Sequence, residues 1–165
     1  MSQIFYAEQA DFHILKFVGD VRLSQSPLIS NFLLKMRKLD NCCGIVVDLS
    51  ETVAIDSTAL GLIAKLGIIS RESFALTLSI VSPRGDISRL LESMSMQEVA
   101  IITSQPLTDS AGFEELPEQV VSETHLLNEV LEAHRTLMGL ATDNEEKFRD
   151  LVSKLQEEQT TSSHL

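Results

Sequence analysis

The sequence predicts an α/β fold, a mixed β-sheet packed by helices, with a C-terminal helical extension. Three observations carry this. Strand-like apolar runs alternate with segments of helical spacing in the order β-β-α-β-α-β-α-β, and alternating units of this kind build a sheet with parallel crossovers. The β-β start adds an antiparallel edge to that sheet. Beyond a stretch at 105–117 that holds two prolines and Gly112, strand signals stop and only amphipathic helical spacing remains.

Taken in order, Ile4 to Glu8 and Phe12 to Gly19 read as two strands with a turn near Gln9 to Asp11. Ser26-Pro27 reads as a helix start, with Ser as N-cap and Pro at the first helical position. Ile29, Phe32, Leu33 and Met36 form its apolar stripe, and Lys35, Arg37 and Lys38 complement its carbonyl end. Ile45 to Val47, closed by Asp48, reads as a buried strand, followed by a polar break at Ser50 to Thr52. Asp56-Ser57-Thr58 then stands before a long apolar helix, and these are residues whose side-chain oxygens accept the free N–H groups of a first turn. Leu60, Ile63, Ala64, Gly67 and Ile68 lie on one face of that helix, and Leu62, Leu66 and Ile69 on another. A helix apolar on nearly all sides is buried or covered by a partner. Leu76 to Val81 is the next strand, expected parallel to Ile45–Val47 with the Ser57 helix as the crossover. Asp86 is the expected cap of a helix with the stripe Ile87, Leu90, Leu91 and Met94, and Val99 to Thr103 is a last short strand.

This divides the chain into a domain at 1–107, an amphipathic helical extension at 108–159 and a tail at 160–165 expected to be disordered. In the extension, Thr124, Leu127, Leu131, His134 and Met138 follow three-four spacing. Thr142 and Glu145 match a capping box, and Phe148, Leu151, Val152 and Leu155 repeat the stripe. Short helices are marginal alone, so these stripes are expected to dock on the domain or to self-associate.

Composition narrows the function. At 165 residues and 44% hydrophobic, the chain holds one core-bearing domain plus an appendage. Its net charge of −11 is uneven: residues 1–111 carry 12 acidic and 9 basic side chains, residues 112–165 carry 12 and 4. With no basic patch to offset phosphate repulsion, nucleic acid is not an expected partner. No apolar run approaches the ~20 residues that span a bilayer, and Met1-Ser2-Gln3 lacks the features of a secretory signal. The expectation is a cytoplasmic protein without direct membrane contact. Adjacent Cys42 and Cys43 read as reduced thiols, being poor disulfide partners and lacking metal-ligand spacing. His13, His125, His134 and His164 show no ligand spacing, no phosphate-cradling Gly-rich loop is present, and no Ser-His-Asp arrangement follows from spacing. No enzyme activity, metal or cofactor is expected.

The string Asp48-Leu49-Ser50, followed by Asp56-Ser57-Thr58-Ala59-Leu60-Gly61-Leu62, resembles the signature of STAS domains, the anti-sigma factor antagonists. The resemblance covers roughly residues 1–107, and it departs at Ala59, where many members carry Gly. It implies a non-enzymatic, phosphorylation-controlled binding module in bacterial transcription regulation. Ser57 would be the site modified by a serine kinase, with Thr58 a lesser alternative and Asp48 and Asp56 as supporting carboxylates. The implied partners are an anti-sigma factor or switch-protein serine kinase and a serine phosphatase. The implied binding surface is the loop from Glu51 through Thr52, Val53, Ser57 and Thr58, plus the exposed side of the following helix at Leu60 and Gly61. Some STAS proteins instead serve as structural subunits of membrane lipid transporters, which need no phosphorylatable serine. Asp48 at the end of a central strand also resembles the phosphoacceptor of response-regulator receivers. Those begin strand-helix and carry a Lys-Pro after the last strand, whereas this chain begins strand-strand and has Gln105-Pro106.

Overall fold

A computed structural model describes residues 2–106 and 112–163. Strands β1 (Ser2–Gln9) and β2 (Phe12–Val21) form an antiparallel hairpin. Strands β3 (Gly44–Ile55), β4 (Leu78–Val81) and β5 (Ala100–Thr103) add to it in parallel, and a short β6 (Glu114–Glu115) pairs antiparallel with the free edge of β1. The six-stranded order is β5-β4-β3-β2-β1-β6. The helices are α1 (Ser26–Arg37), α2 (Ser57–Phe74), α3 (Gly85–Ser93), α4 (Glu123–Met138) and α5 (Thr142–Ser163). As the sequence predicts, the fold is mixed α/β with an antiparallel edge, and α2 is the crossover between the parallel neighbours β3 and β4.

Alternation in the strands decides which side is covered. His13, Leu15 and Phe17 of β2 are buried, whereas Ile14, Lys16 and Val18 between them are half-buried. Buried side chains of the sheet, such as Leu15, Phe17 and Val47, join Ile29, Met36 and Leu60 of the helices in one hydrophobic cluster. That cluster continues without a break into Leu131, Ala133 and Leu137 of α4 and Phe148 and Val152 of α5. The extension is therefore docked. Asn144, fully buried at the start of α5, donates from Nδ2 to the Met94 carbonyl (2.7 Å) and the Leu137 carbonyl (2.9 Å). Lys147 donates to the Ser93 carbonyl at 2.9 Å. Both bonds to 93–94 tie α5 to the end of α3.

Several boundaries differ from the sequence reading. β3 does not stop at Asp48: Ser50, Glu51 and Thr52 continue the strand to Ile55, with register shifts opposite Lys16/Val18 and Gly19/Asp20. The polar residues are absorbed because Thr52 turns inward and donates to the Phe17 carbonyl (2.9 Å), and Glu51 pairs with Lys16. Ser26 is not a cap. It is the first residue of α1 and its buried hydroxyl has no partner among the described residues, while Gln25 occupies the cap position without a side-chain cap bond. The helix start rests on Pro27 and on the 3-10 turn Leu23–Gln25 before it. Asp86 lies inside the first turn of α3, with Arg84 in the cap position. Its carboxylate accepts from Arg84 and from the Ile87 N–H, and the Arg84 bond leads in holding its pKa below the ordinary value. β4 and β5 start later than read, at Leu78 and Ala100, and β6 has no strand signal in its two glutamates. The tail at 160–165 is helical as far as Ser163, where Thr161 bonds back to the Glu157 carbonyl at 2.9 Å. The boundary at 107–108 and residues 164–165 lie outside the described residues. Among the described residues, no helix is long and apolar enough to cross a membrane.

Two positions make measurable claims on this architecture. Ala75 ends α2 in the left-handed region (φ 54°, ψ 34°), where its N–H and that of Leu76 bond back to Arg71 and Ser70. This is a Schellman-type stop, in which glycine avoids a cost of about 1–2 kcal/mol borne by a Cβ. The Ala75 side chain is exposed, so nothing is lost in packing. Ala75→Gly is expected to raise stability by about 0.5–1 kcal/mol in chemical denaturation. His13 is 1% exposed, and its Nδ1 shares a hydrogen bond with the Tyr6 hydroxyl at 2.6 Å. Burial, with Glu8 and Cys42 adding, pushes the Tyr6 phenol up to about 12, so it keeps its proton. Burial, helped by Lys35, pushes His13 below its ordinary value against Glu8 and Asp11. The unfolded chain therefore binds a proton at His13 that the folded chain resists as pH falls below about 6.5, and stability is lost over that interval. Thermal scans between pH 7 and 5 are expected to fall more steeply for wild type than for His13→Gln, which keeps a polar partner for Tyr6. Parallel curves would refute this.

Candidate functional site

The start of α2 is built around one carboxylate. Asp56 hangs from β2 by its N–H to the Val21 carbonyl (3.0 Å). Its Oδ1 caps the helix by accepting from the Ala59 N–H (2.9 Å), and its Oδ2 accepts from the Leu23 N–H (2.7 Å). One side chain thus fixes the first turn of α2 against the chain leaving β2. Ser57 is the first helical residue and is half-buried, while Thr58 after it is buried. Asp48 is buried in β3, where Oδ1 accepts from the Ser50 N–H at 2.9 Å. Asp56 therefore stands beside Ser57 and shapes its turn, whereas the carboxylate of Asp48 is satisfied within its own strand.

The extension closes over this turn. Ser122 caps α4 by accepting from the His125 N–H at 3.1 Å, and the helix then crosses α2 at Gly61. A Cβ placed on Gly61 would stand 2.2 Å from the Ala133 carbonyl oxygen and 2.7 Å from the Ala133 Cβ. Such backbone approach requires glycine on one helix and a small residue on the other. At one end of the crossing, Lys65 and Glu132 form an ion pair at 2.7 Å, and the Lys65 hydrogen bond leads in lowering the Glu132 pKa. At the other end, Ser57 Oγ lies 2.7 Å from His134 Nε2, and His134 Nδ1 lies 2.7 Å from the Val130 carbonyl. A carbonyl only accepts, so Nδ1 carries the hydrogen; in the neutral ring Nε2 is then the acceptor and the Ser57 hydroxyl donates. His134 is 2% exposed and meets the Phe148 ring edge-on at 4.9 Å. Any group transferred to Ser57 Oγ would replace the hydrogen that this bond uses.

The sequence-predicted surface is only partly accessible. Glu51 and Val53 are exposed, Val53 at 58%, but they lie on β3 and not on a loop. Thr52 is 0% exposed because its side chain faces inward to Phe17. Thr58 and Leu60 are buried in the first turns of α2, and Gly61 lies under α4. The side of α2 expected to be exposed is thus covered by the chain's own α4. His134 and Ala133 were not singled out as site residues. The one signal for His134 was a polar side chain within the apolar stripe of α4, which demands a hydrogen-bond partner once buried. Spacing could not name Ser57 as that partner from 77 residues away. No protein-family model matches the chain, and no curated protein matches it. Among the described residues, no group of three or more His, Cys, Asp or Glu side chains could hold a metal ion.

The crossing makes a prediction whose sign is informative. In an uncovered helix, Gly61→Ala stabilises by about 1 kcal/mol through helix propensity. Against the Ala133 carbonyl the added methyl forces α4 away, an overpacking cost of about 1–3 kcal/mol. Denaturant titration is expected to show net destabilisation, and hydrogen exchange across 123–138 is expected to quicken. A stabilised protein would mean that α4 does not rest on Gly61 in solution.

Proposed function

We propose that the protein is a phosphorylation-controlled binding switch of the anti-sigma factor antagonist type, acting in the cytoplasm and carrying its switch on Ser57. The observation that carries this reading is the place of Ser57: first residue of the crossover helix, capped by Asp56, half-buried, with its hydroxyl hydrogen donated to His134. The mixed sheet, the Asp56-Ser57-Thr58 turn and the resemblance of residues 48–62 support it. Phosphorylation replaces the donated hydrogen with a group of about −1.5 to −2 charges that only accepts. The turn tolerates that charge, since a helix N-terminus favours anions by about 0.3–1 kcal/mol when exposed. The contact to α4 is altered, because the hydroxyl hydrogen of Ser57 is gone and phosphate oxygens stand beside His134 in its place. The domain stays folded and the surface around Ser57 changes. A serine kinase sets this state, a serine phosphatase resets it, and the anti-sigma factor or switch kinase reads it.

The reading is tested by purifying the protein from its native cells with and without phosphatase treatment, mapping phosphate by mass spectrometry, and identifying co-purifying proteins. Ser57 is expected to carry a phosphatase-sensitive phosphate. The main partner is expected to be retained by wild type and Ser57→Ala and weakened roughly a hundredfold or more for Ser57→Asp, as ~3 kcal/mol of desolvation and repulsion would require. An unmodified Ser57, or equal retention by all three forms, would reduce Ser57 to a helix-start residue.

A further inference from the structure

Ser57 and His134 meet as a nucleophile meets its base. The Ser57 hydroxyl donates to His134 Nε2 at 2.7 Å, and the Val130 carbonyl, 2.7 Å from Nδ1, holds the ring in the tautomer whose Nε2 accepts. From this geometry we infer that His134 is the general base for modification of its own chain: it takes the hydroxyl proton of Ser57 as Oγ attacks phosphorus, so the enzyme that delivers the phosphoryl group need not supply a base. The identity of the transferred group rests on the reading of Ser57 as a phosphorylated switch; the activated hydroxyl stands on the contact itself.

Three features of the pair suit it to group transfer. The base lies within hydrogen-bond reach of the proton it takes and is itself oriented by a third group, the Val130 carbonyl. The ring is 2% exposed and packed edge-on against Phe148, which keeps it on Ser57 and away from water, whereas Ser57 is only half-buried. A donor therefore approaches Oγ from its open side with α4 in place. The third feature is the helix end. Of the four N–H groups that a helix start leaves open, that of Asp56 is bonded to the Val21 carbonyl and that of Ala59 to the Asp56 carboxylate. Those of Ser57 and Thr58 have no partner among the described residues. They are donors for the oxygens on which negative charge gathers during transfer.

In the step, the Oγ–P bond forms as the bond from phosphorus to the bridging oxygen of a kinase-held nucleoside triphosphate breaks. That electron pair leaves with the diphosphate, and the hydroxyl proton passes to Nε2. The imidazolium so made keeps its Nδ1–H on Val130 and donates its new Nε2–H to the phosphate on Oγ, a charge-assisted bond in place of a neutral one. The positive charge gained by the ring lies against the negative charge gained by the serine.

The probe is diisopropyl fluorophosphate, which tests the hydroxyl without the kinase. The Oγ–P bond forms, the P–F bond breaks, fluoride leaves, and the proton goes to Nε2 and on to solvent. Labelling of the full chain is followed by mass spectrometry of its peptides, with the exposed Ser24 as internal reference. Ser57 is expected to label at least about a hundredfold faster than Ser24, the lower end of what a positioned base contributes. His134→Gln, which offers Ser57 an acceptor that cannot carry off the proton, is expected to bring Ser57 down to the rate of Ser24. Equal labelling of Ser57 and Ser24 in wild type, or of Ser57 in wild type and His134→Gln, would overturn the inference. Should His134→Gln not melt cooperatively, labelling of wild type in heavy water replaces it. The ratio of Ser57 to Ser24 labelling is then expected to fall, because a proton is in transfer at Ser57, and an unchanged ratio overturns the inference. Fast labelling of a Ser57 that carries no phosphate in cells ends the switch reading alone. Slow labelling of a Ser57 that is phosphorylated in cells ends this inference alone.

Discussion

The approach of two backbones at Gly61 and Ala133 is the constraint on which the rest of the C-terminal half depends. Helices that close leave no freedom in where their flanking residues fall. Once Ala133 lies on Gly61, Glu132 reaches Lys65 and His134 reaches Ser57. The same contact seals the core, since Leu131 and Leu137 on either side of Ala133 join the cluster formed by the sheet and α2. Asn144 then holds the turn between α4 and α5 by donating to the Met94 carbonyl and to the Leu137 carbonyl, which also accepts from the Leu140 N–H. The extension is thus a continuation of the core, and its polar contacts are registered by packing.

The sheet contributes the opposite kind of constraint, a fixed base with one side under the helices. Parallel pairing with β2 carries β3 on to Ile55, two residues before α2 starts, while Asp48 stays within the strand between Lys16 and Val81. Asp56 then converts the exit of a strand into the first turn of a helix while holding Leu23. Ser57 is presented by these rigid elements and not by a loose loop, so a change of charge there acts on a surface whose backbone is already committed. The reach of such a change is limited on one side by Thr58 and Leu60, which are buried, and on the other by α4.

Fold class was legible because its signals are local. The β-β start, the β-branched run at Ile45 to Val47 and the helical stripes each follow from a few neighbouring residues. The strand register, β6 and the inward turn of Thr52 were not legible, because each is decided by a residue distant in sequence, such as Phe17 for Thr52 and Ile4 for Leu116. Helix starts were misread at Ser26 and Asp86 for a related reason: a hydroxyl or carboxylate near a first turn has several local bonds open to it, and the surrounding packing selects among them. At the candidate site, Asp56 and Ser57 were visible as cap-forming residues beside an apolar helix. That the helix was apolar on nearly all sides also announced a cover. The identity of the cover, and the pairing of Ser57 with His134, required the tertiary structure.

The order of synthesis gives the Gly61–Ala133 contact a further consequence. A chain emerges N-terminal end first at about 5–20 residues per second. The sheet strands through Thr103 and the whole of α2 exist before α4 does, and the stretch from Thr103 to Met138 takes about 2–7 s to make at those rates. During that interval every nascent molecule has a glycine notch on α2 and no helix of its own to fill it. Until α4 is made, the apolar face of α2 around Gly61 is therefore uncovered, so the first part of the chain to fold completes its core only when the last part arrives.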